Sequence, residues 1–385
     1  MFGKSSLFVT LLISLMASTA SFAAATFTPN VALRTDYQIN KSDDNTVRSD
    51  GYRMKENKEL ESKNFKVHTA IFNAEGSLEE KMRYYFAWNL ATIYEISTAA
   101  GPNLQKLNFL DSFYELAGEY KIVEPLTLKF GKYFTLAGGI EGSQKYEDFY
   151  FTTLAGSGLG SVDYKVGAAL AYAIADQTFT AALFEGDKGI ANQDGPGMGV
   201  VWSGSFLDGM IAPMASYHYL KTPKQVDGGL SGLVAAPEKK KSYWAIGSAF
   251  NLFDKQLIVN ADFLKNVYKS ETTENKKDSD QSYYIEMKYN HGGSYFVRPV
   301  AKYEISKSKL EDANNFNRNA YAIILEFFPR FKAADKKETP RFHIGYISST
   351  DKYKRDVPAT ATNGDIANGK KIETSQWLAG FTLNI

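Results

Sequence analysis

Over its last eleven residues the chain alternates with a period of two. Trp377, Ala379, Phe381, Leu383 and Ile385 mark one apolar face, and Gln376, Gly380, Thr382 and Asn384 the other. A strand that is apolar on one side and polar on the other is half-buried, either against a core or against lipid. The same alternation opens the chain. Val31, Leu33, Thr35, Tyr37 and Ile39 alternate with Ala32, Arg34, Asp36 and Gln38, and Phe65, Val67, Thr69 and Ile71 with Lys66, His68 and Ala70. Met82, Tyr84, Phe86, Trp88 and Leu90 then alternate with Arg83, Tyr85, Ala87 and Asn89. Further strands are predicted at 109–120, 126–133, 164–174, 177–185, 198–206, 210–220, 241–252, 256–266, 281–290, 294–305, 319–328, 340–349 and 375–385, which makes sixteen. Segments of about ten alternating residues have the length of a tilted membrane crossing.

The connectors sort by parity. Short turns (Glu75–Glu80, Lys121–Pro125, Ala175-Asp176, Leu207–Gly209, Phe253–Lys255 and His291–Gly293) alternate with long polar loops near 40–64, 93–108, 134–163, 186–197, 221–240, 267–280, 306–318 and 350–374. The link Pro329 to Thr339 is the long one among the short. A soluble β-sandwich has no reason to sort its connectors this way, whereas a bacterial outer-membrane barrel does. The pattern therefore predicts an all-β fold, a sixteen-stranded antiparallel transmembrane β-barrel in one domain over residues 24–385. A barrel of eight strands is filled by its own side chains, but sixteen leave an aqueous lumen.

Composition agrees. Tyr (24) and Phe (26) are abundant, Pro (11) is scarce, and the mean hydropathy of −0.31 is slightly polar, as an aromatic-rich exterior around a polar lumen requires. Residues 1–23 read as an export signal, with Lys4 before an apolar run from Leu7 to Met16 and small residues at Ser21-Phe22-Ala23. That run is too short for an ordinary spanning helix, and no other apolar run reaches the needed length. The chain has no cysteine, hence no disulfide framework or thiol chemistry. With 44 basic and 43 acidic residues it has no charge bias toward nucleic acid.

Charge sits at the polar positions of the strands. Arg34, Lys66, Arg83 and Lys129 belong to the first, second, third and fifth, and Asp111, Glu115 and Glu119 to the fourth. Arg298, Lys302, Glu304, Glu326, Arg341 and His343 follow on the thirteenth to fifteenth. Facing lipid at mid-bilayer each would cost a few kcal/mol, so all are expected to face water. The longest loop, 134–163, carries Glu141, Glu147, Asp148 and Asp163 against Lys145.

In strand and loop order the whole chain after the export signal resembles the general sixteen-stranded trimeric porins of Gram-negative outer membranes. The run Leu126-Thr127-Leu128-Lys129-Phe130-Gly131-Lys132 looks like the strand that leads into the third external loop of porins, including the phosphate-selective ones. Leu378-x-Gly380-x-x-Leu383-x-Ile385 resembles the C-terminal signal read by the barrel-assembly machinery, with Ile385 in place of the usual Phe. The resemblance implies a third loop folded into the barrel, where Glu141, Glu147 and Asp148 would oppose Arg34, Lys66, Arg83 and Lys129 across a constriction. It also implies a homotrimer in the outer membrane with both termini periplasmic, passing small hydrophilic solutes and ions by passive diffusion without a cofactor. The acidic excess of the loop argues against a phosphate-selective pore.

Other readings are a substrate-specific channel and an adhesin or structural surface protein. The first would use an aromatic track, for which Tyr85, Phe113, Tyr133 and Phe296 are the candidates. No enzyme is expected. Gly364 to Lys370 approaches a P-loop, but Lys371 stands where Ser or Thr must hold magnesium. Ser306 to Lys309 fits S-x-x-K without its companion motifs. His68, His218, His291 and His343 lack the spacing of metal ligands. The run Glu238 to Lys241 is a candidate contact for lipopolysaccharide phosphates at the membrane surface.

Overall fold

The computed structural model describes residues 26–42, 53–54, 60–89, 113–134, 139–142, 153–157, 164–188, 194–222, 239–270, 277–290, 297–309, 315–328, 340–353 and 371–384. The export signal at 1–23 lies outside these residues, as do Asp111, Glu147, Asp148, Asp163 and Phe296. Sixteen long strands form one antiparallel sheet. They are β1 (Thr28–Ser42), β2 (Leu60–Leu78), β3 (Met82–Asn89), β4 (Phe113–Val123), β5 (Leu126–Phe134), β6 (Tyr164–Ile174), β7 (Gln177–Lys188) and β8 (Asp194–Gly204). The second half comprises β9 (Ile211–Thr222), β10 (Lys239–Leu252), β11 (Leu257–Ser270), β12 (Lys277–Tyr289), β13 (Val297–Lys309), β14 (Phe316–Phe327), β15 (Arg341–Tyr353) and β16 (Lys371–Asn384). A two-residue extension, Arg53–Met54, pairs with Leu60 and Glu61. Each strand pairs with its sequence neighbour, and β1 also pairs with β16 from Ala32↔Asn384 to Ser42↔Thr374. The sheet closes into a barrel, so no edge is left open.

All sixteen predicted strands coincide with observed ones, and most extend further into the loops than the alternation reaches. Strands β4 and β5 meet at Glu124-Pro125, β6 and β7 at Ala175-Asp176. Leu207, Asp208 and Gly209 all take positive φ in the β8–β9 turn, with Gly209 at 82°, which tightens a connection that side chains resist.

The alternation separates two surfaces. On β14, Tyr321 (41%), Ile323 (58%) and Leu325 (40%) are exposed, while Ala320, Ala322, Ile324 and Glu326 are 3% exposed or less. The exposed set is apolar and the covered set includes a carboxylate, the inverse of a soluble sheet. Lipid against the outer face and a fully paired backbone ladder resolve that inversion.

Two bulges revise the predicted register. On β2 the pairing passes from Arg34↔Thr69 to Thr35↔Val67, which leaves His68 as an extra residue. Ile71 therefore lies opposite Ala32 on the inner face rather than sharing the outer face with Phe65 and Val67. On β4, Ala87 pairs with Glu115 and Trp88 with Phe113, so Tyr114 is extra. Phe113 consequently points outward, stacked on Trp88 at 6.0 Å and edge-on to Phe86 at 5.2 Å, and it leaves the proposed aromatic track. A bulge shifts the phase of every residue beyond it, and no pattern of residue types announces one.

Candidate functional site

The inner surface carries three groups of charged side chains, each assembled by register. The first spans β13 to β16 and β1. Arg298 pairs with Glu326, its cross-strand partner, and Arg341 Nε lies 3.2 Å from the other oxygen of that carboxylate. Arg34 Nη2 donates to Asp36 Oδ2 at 2.8 Å, and Asp36 Oδ1 lies 2.5 Å from His343 Nε2. Asp36 and His343 belong to strands separated by β16, and both are in register with Gly380. Their side chains meet above that glycine, where an added Cβ would stand 2.8 Å from His343 Nε2. Gly380→Ala is expected to push β1 away from β16 at the Thr35 carbonyl, to part Asp36 from His343, and to lower the temperature at which the barrel unfolds. Thermal shift against wild type reads this, and an unchanged midpoint would mean that the strand pairing at Gly380 yields to a methyl group without loss. Nearer the long loops, Arg318 grips Asp351 through both carboxylate oxygens at 2.7 and 2.8 Å, a fork that only Arg supplies.

The second group lies on β3, β4 and β5. Lys129 Nζ stands 3.7 Å from Glu119 and 3.9 Å from Glu115, over the rings of Tyr85 (5.2 Å) and Tyr133 (5.3 Å). Tyr85 Oη donates to Glu119 at 3.0 Å, and the Arg83 guanidinium lies 5.6 Å from the Tyr85 ring centre. Here Lys129, Glu115 and Glu119 keep 22–25% of their side-chain surface, whereas Arg298, Glu326, Arg341, Asp36 and Arg34 keep 3% or less. This group meets solvent, as do Arg318 and Asp351 (27% and 13%) nearer the long loops.

The third group holds the long connection between β5 and β6. Two four-residue helical turns, α1 (Gly139–Gly142) and α2 (Leu154–Ser157), lie against the inner faces of β9 to β12. The loop therefore folds into the barrel. Lys302 Nζ donates to Glu141 Oε1 at 2.5 Å, and the Glu141 amide donates to Asp262 Oδ2 at 2.7 Å. Thr153 donates from its amide (3.0 Å) and hydroxyl (2.5 Å) to the two Glu141 oxygens, so one carboxylate joins both ends of the loop. The amides of Leu154 and Ala155 donate to Glu304 (2.6 Å) and Ser282 (2.8 Å), and Asn266 donates to the Ala155 carbonyl. Gly247, in register with Asp262, supplies the space into which that carboxylate turns.

Sequence-predicted residues are thus brought together in new combinations. Lys129 meets Glu115, Arg298 and Arg341 share Glu326, and Glu141 binds Lys302 instead of facing Arg34, Arg83 or Lys129. The pairing places Lys66 opposite Asp36. Asp262, Ser282, Asn266 and Thr153 were missed. The first three stand at inner positions of β11 and β12, and polar residues at inner parity on those strands were the available signal.

No protein-family model and no curated protein sequence matches the chain. Solved structures do. The outer-membrane protein OmpT of Vibrio cholerae, in a trimer form, superposes with a TM-score of 0.60 at 11% identity over 93% of this chain and 99% of that one. The outer-membrane channel DcaP of Acinetobacter baumannii gives 0.61 at 11% identity over 94% and 99%. An anion-selective porin from Comamonas acidovorans gives 0.56 at 9% identity over 94% and 100%. The chain has the sixteen-stranded barrel fold of Gram-negative outer-membrane porins.

Proposed function

We propose that the protein is an outer-membrane channel through which small hydrophilic solutes and ions diffuse passively, with both termini periplasmic and the long loops outside. The observation that carries this reading is a loop pinned by Glu141, Thr153 and Leu154 inside a closed barrel that is apolar outside and charged within. Short turns at one end and long connections at the other support the orientation. The trimer form of a similarly folded protein supports a homotrimer.

In this reading the α1–α2 segment occupies the side of the lumen near β9 to β12 and narrows the path. The constriction then lies between the loop and the facing wall with Lys66, Arg83 and Lys129, while Arg34 is held against Asp36 out of solvent. Glu147 and Asp148 belong to its loop side, whereas Glu141 serves as an anchor. Lys129 and Arg83 beside Glu115 and Glu119 give both signs of charge, which predicts weak ion preference.

A substrate-specific channel is the second reading, favoured by one observation. Tyr85, partly exposed beside Lys129, offers a ring face to a solute, whereas Tyr133 is buried. Single-channel conductance in planar bilayers, with a reversal potential under a salt gradient, separates the two. The expected result is large steps in groups of three with a small reversal potential. Small steps blocked by one sugar or anion would establish the specific channel, and absence of conductance from a folded barrel would overturn both.

A further inference from the structure

We infer that the stretch of lumen wall formed by β3 to β7 favours small zwitterions with a compact apolar body, the chemistry of the neutral apolar α-amino acids. This names a solute class for the channel proposed above and rests on that reading. The lumen wall is exposed unevenly. Ser282, Ser306 and Ala322 occupy inner positions of β12 to β14 and keep 2% of their surface or less. On β6 and β7, Ala171, Thr178, Thr180 and Ala182 stand at inner positions and are only half-buried, and Ala173 is exposed. On β3 to β5, Lys129, Glu115 and Glu119 keep 22–25% of their side-chain surface, and Arg83 is exposed.

One ladder joins the two parts. Arg83, Glu119, Lys129, Ala169 and Ala182 are successive cross-strand partners on β3 to β7. Along it the sign runs plus, minus, plus and then neutral. Inner positions of β6 from Gly167 to Ala173, and of β7 from Thr178 to Phe184, carry no charge. The charges at the other end are not spent on one another. Lys129 Nζ stands 3.7 and 3.9 Å from the two carboxylates, beyond hydrogen-bond reach. Arg83 makes no ion pair with a described residue, and its guanidinium lies 5.6 Å from the Tyr85 ring centre. Neighbouring strands set these opposite charges about 5 Å apart, close enough for a solute bearing an ammonium and a carboxylate on one carbon to meet both at once. A lone ion drawn to one sign is repelled by the next, whereas a dipole gains from both. The neutral end then sorts solutes by their bodies. A hydroxyl taken from water without a new partner costs about 1–3 kcal/mol, and the methyl groups of Ala171, Ala173 and Ala182 offer none. An apolar body meets no such cost there.

The test reconstitutes the detergent-purified full-length protein in liposomes and compares swelling rates in valine, threonine and erythritol, solutes of similar size. Valine is expected to enter at least about threefold faster than erythritol, and also faster than threonine, which carries a hydroxyl where valine has a methyl group. In Arg83→Gln/Lys129→Gln the valine-to-erythritol ratio should fall to about one, and taking the ratio cancels any change in pore width. The chain has no cysteine, so Ala171→Cys and Thr180→Cys each place a single thiol on the wall. Both should react with a charged methanethiosulfonate in the folded barrel and slow valine entry, whereas Ala322→Cys should react only after unfolding. A valine-to-erythritol ratio that survives the double variant, or thiols on β6 and β7 that stay unreactive, would overturn the inference. Equal swelling in all the solutes would sink the solute class and leave the channel standing. No swelling in any of them from a folded barrel would sink both.

Discussion

Lys302→Met is expected to release the inner loop and raise single-channel conductance, with noisier open levels than wild type. Lys302 is the cation bonded to Glu141, and that carboxylate also receives Thr153 while its amide holds Asp262. Removing the ammonium leaves Glu141, Asp262 and Glu304 in one buried neighbourhood without Lys302 to balance them. Stranding a buried charge in this way typically costs about 3–5 kcal/mol, enough to detach a short loop held by a few hydrogen bonds. The methionine keeps most of the aliphatic stem against Tyr284, over whose ring the lysine now lies at 4.5 Å. The double variant Glu141→Gln/Lys302→Met should recover much of the wild-type conductance, because the amide still accepts from Thr153 and no unpaired carboxylate remains at that position. Conductance that stays at the wild-type value in Lys302→Met would mean the loop is held elsewhere and that this ion pair is incidental.

Reversing the charge on the opposite wall should change selectivity instead of size. Lys129 is the cation between Glu115 and Glu119, and all three side chains remain partly exposed to the lumen. Lys129→Glu converts one positive and two negative charges into three negative ones. A unit charge at 4 Å in water is worth about 1 kcal/mol, and the substitution changes the local charge by two units. Screening and distance from the ion path reduce this, leaving a roughly threefold to tenfold rise in the permeability of potassium relative to chloride. Reversal potentials under a tenfold salt gradient measure the ratio directly, and the shift should shrink at high ionic strength. An unchanged ratio would take β3 to β5 out of the ion path. The same variant should leave the loop in place, since no contact of α1 or α2 runs to Lys129 among the described residues.

These two experiments address walls that the chain builds differently. On β14 and β15, Glu326, Arg341 and His343 were legible as inward charges because the alternation runs without interruption. On β2 and β4 it is interrupted, and Ile71 and Phe113 were assigned to the wrong faces for that reason. The corrections come from single inserted residues, His68 and Tyr114. Each is ordinary in composition and is visible only as a break in pairing with the neighbouring strand.

The strand count, the order of turns and loops, and the division into an apolar and a polar face are legible along the chain. Each of these is a local property. The period of two is written into about ten consecutive residues, and sixteen such segments with alternating connectors admit few closed sheets. Which charges meet is set by the folded barrel. Glu141 and Lys302 are 161 residues apart, and Asp36 reaches His343 across 307. Both contacts depend on closure of the barrel and on side chains omitted at Gly247 and Gly380 to make room. Parity tells a charge which way to face, but its partner is chosen by the register of strands that come together only when the sheet closes.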